Sequence, residues 1–336
     1  MAHITMSQRS RLGRYLVLVV VVIIVLYFLH SNSSNVKDVP ADLPKVATER
    51  TPQYLVQQRE RNKTIHEICG PKRPLTTLTT TQMMFLLKHI IVDDNHQLLY
   101  CYVPKAACAN WKRVMQVLSG RYARVEDIHK VDHTDFKFLS GYSPEEIEYR
   151  LNNYFKFMFV RHPLDRLFSG WHNKFHENFI DMQKKYGIPI VKKFRDNPPV
   201  DPKGDDVTLG EFFKYLAGTA TTQFNEHWMP YTELCQPCHV DYNFIGIYED
   251  LENEATAMIK HVGLSDKVTY PARQRYYDKN TVADEAKIDE WHKVPPETFQ
   301  DVVKKYATDF GLFGYPLPEN VDDYITDHVR SPNQGL

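Results

Sequence analysis

Cysteine is scarce in this chain. The five residues Cys69, Cys101, Cys108, Cys235 and Cys238 among 336 are too few for a small disulfide-stapled scaffold, although they allow one or two bridges in an oxidising compartment. An odd number leaves at least one thiol free or paired between chains. Cys235 and Cys238 form CQPC, but no second CxxC completes a four-ligand zinc site. Pro237 and the strand-like VDYNFIGIYE that follows speak for a turn, not for the helix N-terminus used by a redox dithiol. A structural disulfide or buried thiols are left. Charge of one sign is missing too, with 41 Lys and Arg against 42 Asp and Glu. No whole-molecule field draws the chain to nucleic acid or to a membrane surface, so any anionic ligand must be held by a local cluster.

What is present begins with Tyr15 to Leu29, YLVLVVVVIIVLYFL, an uncharged run preceded by Arg9, Arg11 and Arg14. It has no polar face, as a soluble core helix would, and so reads as a membrane segment. It is shorter than the ~20 residues of a usual span, which makes a cleaved signal peptide the competing reading. No small-x-small cleavage site follows directly. The basic flank predicts a cytosolic tail at 1–14, a signal anchor at 15–29 and a lumenal remainder, the topology of a single-pass type II protein. Residues 30–80 are polar and dotted with proline, as a solvated stem would be. The sequons at Asn32 and Asn62 agree with lumenal exposure. A chain of 336 residues with 43% hydrophobic content supports one main folded domain, expected at 81–320, before a C-terminal tail at 321–336.

Two stretches carry chemistry. Ile90 to Val92, a turn at Asp93, Asp94 and Asn95, and Leu98 to Val103 have the pattern of strands. Directly behind them stand Pro104, Lys105, Ala106, Ala107, Cys108, Ala109 and Asn110, then an expected helix through Leu118. Strand, tight loop and helix aim free N–H groups and the positive end of a helix dipole at an anion, and Lys105 adds a full charge. Taken alone, Lys105 reads more readily as a solvated lysine in a plain connection than as an anion ligand, because no glycine-rich Walker pattern accompanies it. A second strand, ending the run Leu151 to Val160, leads into Arg161, His162, Pro163, Leu164, Asp165, Arg166, Leu167, Phe168 and Ser169. The C-terminal ends of such strands are where open α/β sheets bind ligands, so two of them suit the two phosphate-bearing ends of one nucleotide.

These residues resemble a known family. VPKAACANWKR at Val103 to Arg113 is similar to the 5'-phosphosulfate loop of the Golgi carbohydrate sulfotransferases related to the HNK-1 and chondroitin 4-O-sulfotransferases. FVRHPLDRLFSG at Phe159 to Gly170 is similar to their 3'-phosphate motif. NEHWMPY, LCQPC, YNFIGIYEDLE, YPARQ and FGYPLP further on resemble most closely the dermatan 4-O-sulfotransferase branch. The resemblance implies an α/β, P-loop-like sulfotransferase fold with a central parallel sheet, behind one transmembrane helix and a stem. It also implies 3'-phosphoadenosine 5'-phosphosulfate as cosubstrate, no metal, and a Golgi membrane enzyme with its catalytic domain lumenal. By the same likeness Lys105 and the backbone from Pro104 to Asn110 grip the phosphosulfate, and Arg161 and Ser169 bind the 3'-phosphate. Ala109 departs from a usual threonine or serine, His162 from a usual acidic residue and Trp171 from a usual tyrosine.

Sulfuryl transfer needs in-line geometry, donors to the nonbridging and leaving oxygens, and a base for the attacking hydroxyl. Lys105 is the candidate for the leaving group. His133, His227 and Glu226 are the candidate bases, with His133 ranked just above His227. Cys101 and Cys108 flank the loop as packing residues, not nucleophiles. For the acceptor, an acidic polysaccharide such as dermatan or chondroitin, Lys184, Lys185, Lys192, Lys193 and Arg195 form a basic segment that reads equally as a solvated helix face. Arg273 and Arg275 add cations next to aromatics. Two rivals stay open: the same reaction on a terminal glucuronate or an N-glycan N-acetylgalactosamine, and a catalytically silent glycan-binding membrane protein. Neither composition nor periodicity decides between a monomer and a homo-oligomer.

Overall fold

The computed structural model describes residues 53–272 and 281–329. The apolar run 15–29, Asn32, Arg273 and Arg275 lie outside the described residues. Among those described, no helix is long and apolar enough to cross a membrane.

The centre is a four-stranded sheet in the order β1 (Ile90–Asp93), β2 (Leu98–Cys101), β3 (Phe155–Val160), β4 (Phe244–Ile247). Strands β2, β3 and β4 run parallel, with Tyr100 beside Phe157 and Phe157 beside Phe244. The expected parallel sheet needs one correction, because β1 is antiparallel to β2. A parallel pair requires a crossover of a dozen or more residues. The tight connection after Asp93 permits only a hairpin, and Asp93 Oδ1 closes it by accepting from the Asn95 N–H at 2.9 Å.

Side chains alternate across the sheet into two cores. Leu99, Cys101, Met158, Val160, Ile245 and Ile247 enter one core. Leu98, Tyr100, Phe157, Phe159 and Phe244 enter the other. Both faces are therefore covered, which is why the strands read as continuous apolar runs. At Gly246 the Phe159 ring lies where a side chain would begin: a Cβ there would stand 2.1 Å from the ring.

Each parallel strand leads into a helix: β2 into α3 (Cys108–Leu118) and β3 into α5 (Pro163–Phe175), while α4 (Pro144–Asn153) precedes β3. Before the sheet come α1 (Gln53–Cys69) and α2 (Thr80–His89). After α5 come α6 (Ile188–Phe194), α7 (Leu209–Ala217) and α8 (Tyr231–Leu234), and after β4 come α9 (Leu251–His261), α10 (Thr281–His292) and α11 (Pro296–Leu312).

The expected stem does not extend to residue 80. Helix α1 lies along the free edge of β4, where the buried Gln58 amide donates to Ile245 O at 3.0 Å and accepts from Ile245 N at 2.8 Å. That edge would otherwise present unpaired backbone groups. Cys69 at the end of α1 is bridged to Cys238, and Asn62 sits half-buried within the helix. The tail boundary at 320 is also too early, since fully buried Tyr324 donates to Asp165 Oδ1 at 2.9 Å.

The two CQPC cysteines are not joined to each other. Cys235 pairs with Cys101 across 134 residues and Cys238 with Cys69 across 169, leaving Cys108 free. Cys101 is thus a bridge and not merely a packing residue. Valine at position 246 should lower the unfolding free energy by about 1–3 kcal/mol through overpacking against Phe159. Urea denaturation of Gly246→Val checks this, and an unchanged midpoint contradicts the register given for β3 and β4.

Candidate active site

The loop behind β2 has an unusual backbone. Lys105 and Ala107 adopt left-handed φ values of 71° and 63° without being glycine. Each such residue costs on the order of 1–2 kcal/mol, so neighbours must hold it in place. They do so from the second motif: Arg166 Nε donates to Pro104 O at 3.0 Å and Arg161 donates to Lys105 O at 3.4 Å. Left-handed residues placed in this way turn successive N–H groups into a concave anion-binding nest. The nest opens onto the start of α3, where the amides of Cys108 and Ala109 have no acceptor within the helix. Backbone N–H groups therefore stand where Ala109 lacks a hydroxyl. Loop and helix start together suit an anion such as a phosphosulfate.

Lys105 is half-buried above this nest and has no ion pair among the described residues. Burial, then repulsion from Lys174, pulls its ammonium down to about 8.

The second motif divides sharply. Arg161 and Ser169 are half-buried, and the Arg161 guanidinium lies 4.5 Å from the centre of the Tyr248 ring. Its backbone is fixed by Tyr231, whose hydroxyl accepts from Arg161 N at 2.8 Å and donates to Arg161 O at 2.9 Å. His162, Pro163, Leu164 and Leu167, expected among the nucleotide contacts, are instead buried. His162 stacks on Tyr324 and meets Phe310 and Tyr315 edge-on. Phe168 stacks on Trp291. Asp165 is taken by Lys287 at 2.8 Å and by Tyr324; burial opposes its ionisation, but Lys287 and Arg161 hold the carboxyl below the usual range. The reason is the amphipathic face of α5, which turns most of the motif inward and leaves few side chains at the strand end.

Arg166 is almost wholly enclosed, and besides Pro104 O it donates to Met229 O at 2.6 Å and Glu226 O at 2.8 Å. All three acceptors are backbone carbonyls. Arg166 is a strut and does not face a ligand.

That strut brings in the segment that carries the base candidates. His227 Nδ1 lies 2.6 Å from Asn225 Oδ1, which also accepts from His227 N, so Nδ1 carries the proton and Nε2 keeps its lone pair. Burial, then Lys174, lowers the imidazole to about 3, and it is neutral near pH 7. Glu226 Oε2 accepts from His89 Nε2 at 2.8 Å and from the Tyr102 hydroxyl at 3.2 Å. Burial opposes its ionisation, yet the His89 bond and charge bring it to about 2. His89 Nδ1 also lies 2.7 Å from Phe85 O, so both ring nitrogens face an acceptor and the ring is fixed in place.

His133, the first-ranked base, is differently occupied. The Lys112 ammonium, seated 3.6 Å over the Tyr102 ring, donates to His133 Nδ1 at 3.0 Å. With that lone pair engaged, the remaining nitrogen bears the hydrogen, so the ranking reverses in favour of His227. The site residues that sequence reasoning missed are His89, Tyr102, Lys112 and Lys174. Lys112 lay inside the quoted VPKAACANWKR, while nothing in the chain marked His89 or Lys174.

Lys184, Lys185, Lys192 and Lys193 are exposed. Arg195 is committed to Asp206 and Glu211 at 2.6 and 2.8 Å. Among the described residues no three His, Cys, Asp or Glu side chains gather as a metal site.

The model of a family described as the sulfotransferase family matches residues 88–316. Carbohydrate sulfotransferase 14 of Danio rerio is 43% identical over 304 residues, covering 89% of this chain and 78% of its own. Its Homo sapiens namesake is 46% identical over 268 residues, 78% of this chain and 70% of its own. Carbohydrate sulfotransferase 11 of Rattus norvegicus is 39% identical over 244 residues, 69% and 68% respectively. No solved structure matches.

Replacing Arg166 by methionine should cost at least about 3 kcal/mol, because it strands three buried carbonyls, each worth about 1–3 kcal/mol when unsatisfied. Urea unfolding measures the loss; a change under about 1 kcal/mol contradicts the strut.

Proposed function

Because the chain belongs to the sulfotransferase family, we propose that it transfers sulfate from 3'-phosphoadenosine 5'-phosphosulfate to the 4-hydroxyl of N-acetylgalactosamine in dermatan or chondroitin chains. The observation that carries the reading is Lys105 on a left-handed anion nest, held from behind by Arg161 and Arg166 and adjoined by a neutral histidine with a free lone pair. The carbohydrate sulfotransferase relatives support a glycan acceptor. Lys112, seated over the Tyr102 ring with no carboxylate within ion-pair distance among the described residues, favours an anionic one over a neutral one.

The donor supplies an electrophilic sulfur and a phosphate leaving group. The sugar oxygen forms a new bond to sulfur as the bond from sulfur to the 5'-phosphate oxygen breaks, and that oxygen leaves with the electron pair. The hydroxyl proton passes to His227 Nε2. Lys105 meets the charge that grows on the leaving oxygen, a preorganised electrostatic contribution. A polyanionic donor also offsets the lysine charges that depress His227, so its basicity rises when the donor is bound.

We further propose a single-pass type II protein of the Golgi membrane, anchored by residues 15–29, with the folded domain in the lumen. The two disulfides support an oxidising compartment.

The test is transfer of radiolabelled sulfate to desulfated dermatan and to chondroitin by the full chain, followed by disaccharide analysis. Label at the 4-position is the expected result; donor binding with no label on either polymer moves the reading to another glycan or to a binding role. Lys105→Ala should lower turnover at least ~100-fold, and near wild-type turnover would sink its assignment. Since Lys105 acts as an ammonium with a value of about 8, kcat/KM for the donor should fall as pH rises through that value. Lys105→Arg should carry this limb beyond pH ~10, because guanidinium keeps its proton; a limb unmoved in that variant assigns the titration to another group.

A further inference from the structure

Lys174 stands on the last turn of α5. Its side chain is only 7% exposed, yet no carboxylate lies within ion-pair distance among the described residues. Its ammonium sits 3.7 Å from the centre of the Phe179 ring, which supports a cation without neutralising it. Burying an ammonium without a counter-anion is costly, and a protein that keeps one leaves its charge to be met by something that binds.

Position identifies what that is. After burial itself, Lys174 is the strongest influence on Lys105 and also on His227. Gly170, one turn before Lys174 on the same face of α5, brings that face against the His227 backbone, where a would-be Cβ stands 3.2 Å from His227 O, and Arg166 a turn earlier reaches Pro104 O beside Lys105 and Glu226 O beside His227. Between Lys105 and His227 the sulfuryl group must pass. Lys105 is needed at the bridging oxygen, and the Arg166 guanidinium is spent on backbone carbonyls, so neither serves the nonbridging sulfuryl oxygens.

Resting on the sulfotransferase reading above, we infer that Lys174 is a second catalytic cation whose ammonium contacts the nonbridging oxygens of the sulfuryl group, from the side of the site facing the acceptor. The role differs from that of Lys105. Lys105 answers charge on the group that departs, whereas Lys174 holds the group that is transferred and screens its oxygens from the incoming hydroxyl oxygen. Its closeness to His227 has a second effect: the same charge keeps the imidazole unprotonated until the donor anion arrives.

The test compares two nucleotides that differ only by the sulfuryl group, 3'-phosphoadenosine 5'-phosphosulfate and adenosine 3',5'-bisphosphate. Calorimetric titration of the full chain gives the affinity for each, in wild type and in Lys174→Met, which keeps the stem against Phe179 and removes the charge. The expected result is at least a five-fold loss of affinity for the sulfated nucleotide, with the bisphosphate unchanged within two-fold. Lys174→Arg should recover most of the discrimination. Equal loss for both nucleotides would make Lys174 a structural or general phosphate-binding residue and overturn the inference, as would no loss for either. A thermal melt of Lys174→Met identifies misfolding, in which case Lys174→Gln takes its place under the same criteria. The readout needs no acceptor. A wild type that discriminates the nucleotides through Lys174 but labels neither dermatan nor chondroitin leaves this inference standing while the acceptor reading falls.

Discussion

Three carbonyls from two distant stretches of chain, at Pro104, Glu226 and Met229, converge on the one guanidinium of Arg166. A charge this deeply enclosed is tolerable only when its donors are engaged, and these donors are engaged by the two walls of the site. The loop behind β2 cannot relax from its left-handed turns without releasing Pro104. Residues 226–229 cannot shift without releasing the other two. Lys105 and His227, which sit more than a hundred residues apart in sequence, thus share one anchor. A neighbouring close approach has the same effect, since Gly170 on α5 leaves 3.2 Å between a would-be Cβ and His227 O.

A second layer holds this arrangement from outside. The bridge from Cys101 to Cys235 ties the end of β2, just before the donor loop, to the turn after α8. Helix α8 begins at Tyr231, the residue that clasps both backbone polar groups of Arg161. Buried Asp309 accepts from the Tyr231 and Thr232 amides at 2.7 and 3.1 Å and so fixes the start of that helix. Burial, opposed by these amides, raises the Asp309 carboxyl to about 6. The strand ends that carry the two nucleotide motifs are therefore clamped on the side away from the ligand. The ligand side is left with Lys105, Lys112 and Lys174, none of which has a carboxylate within ion-pair distance among the described residues. Rigid walls and uncompensated positive charge together favour a polyanionic donor that arrives already shaped, in keeping with electrostatic preorganisation.

The two strand-end loops were legible in the sequence, and the side chains gathered around His227 were almost illegible. VPKAACANWKR and FVRHPLDRLFSG are contiguous, each lies at a strand's C-terminal end, and local pattern was enough to place Lys105 and Arg161. Contiguity also misled. An α-helix shows only part of its surface to a cleft, so His162, Leu164 and Leu167 turned into the core while Arg161 and Ser169 stayed at its edge. The cluster of His89, Tyr102, Lys112, His133, Glu226 and His227 is assembled from five separate segments by tertiary packing, and no spacing rule links them. The polar character of residues 53–69 suggested a stem, because a helix that caps a sheet edge with Gln58 and Arg61 buries amide and guanidinium groups where a usual core helix buries aliphatic ones. The antiparallel β1 could have been read from the brevity of its turn.

The central claim is that two strand ends, joined through Arg166, hold the two ends of one nucleotide. A crystal structure with adenosine 3',5'-bisphosphate bound tests it most directly. The expected result is the 5'-phosphate on the amides of Lys105 and of Ala107 to Ala109 with Lys105 Nζ in contact, the 3'-phosphate on Arg161 and Ser169, and no contact from Arg166. A nucleotide seated elsewhere, or one that draws Arg166 from its three carbonyls, would contradict it.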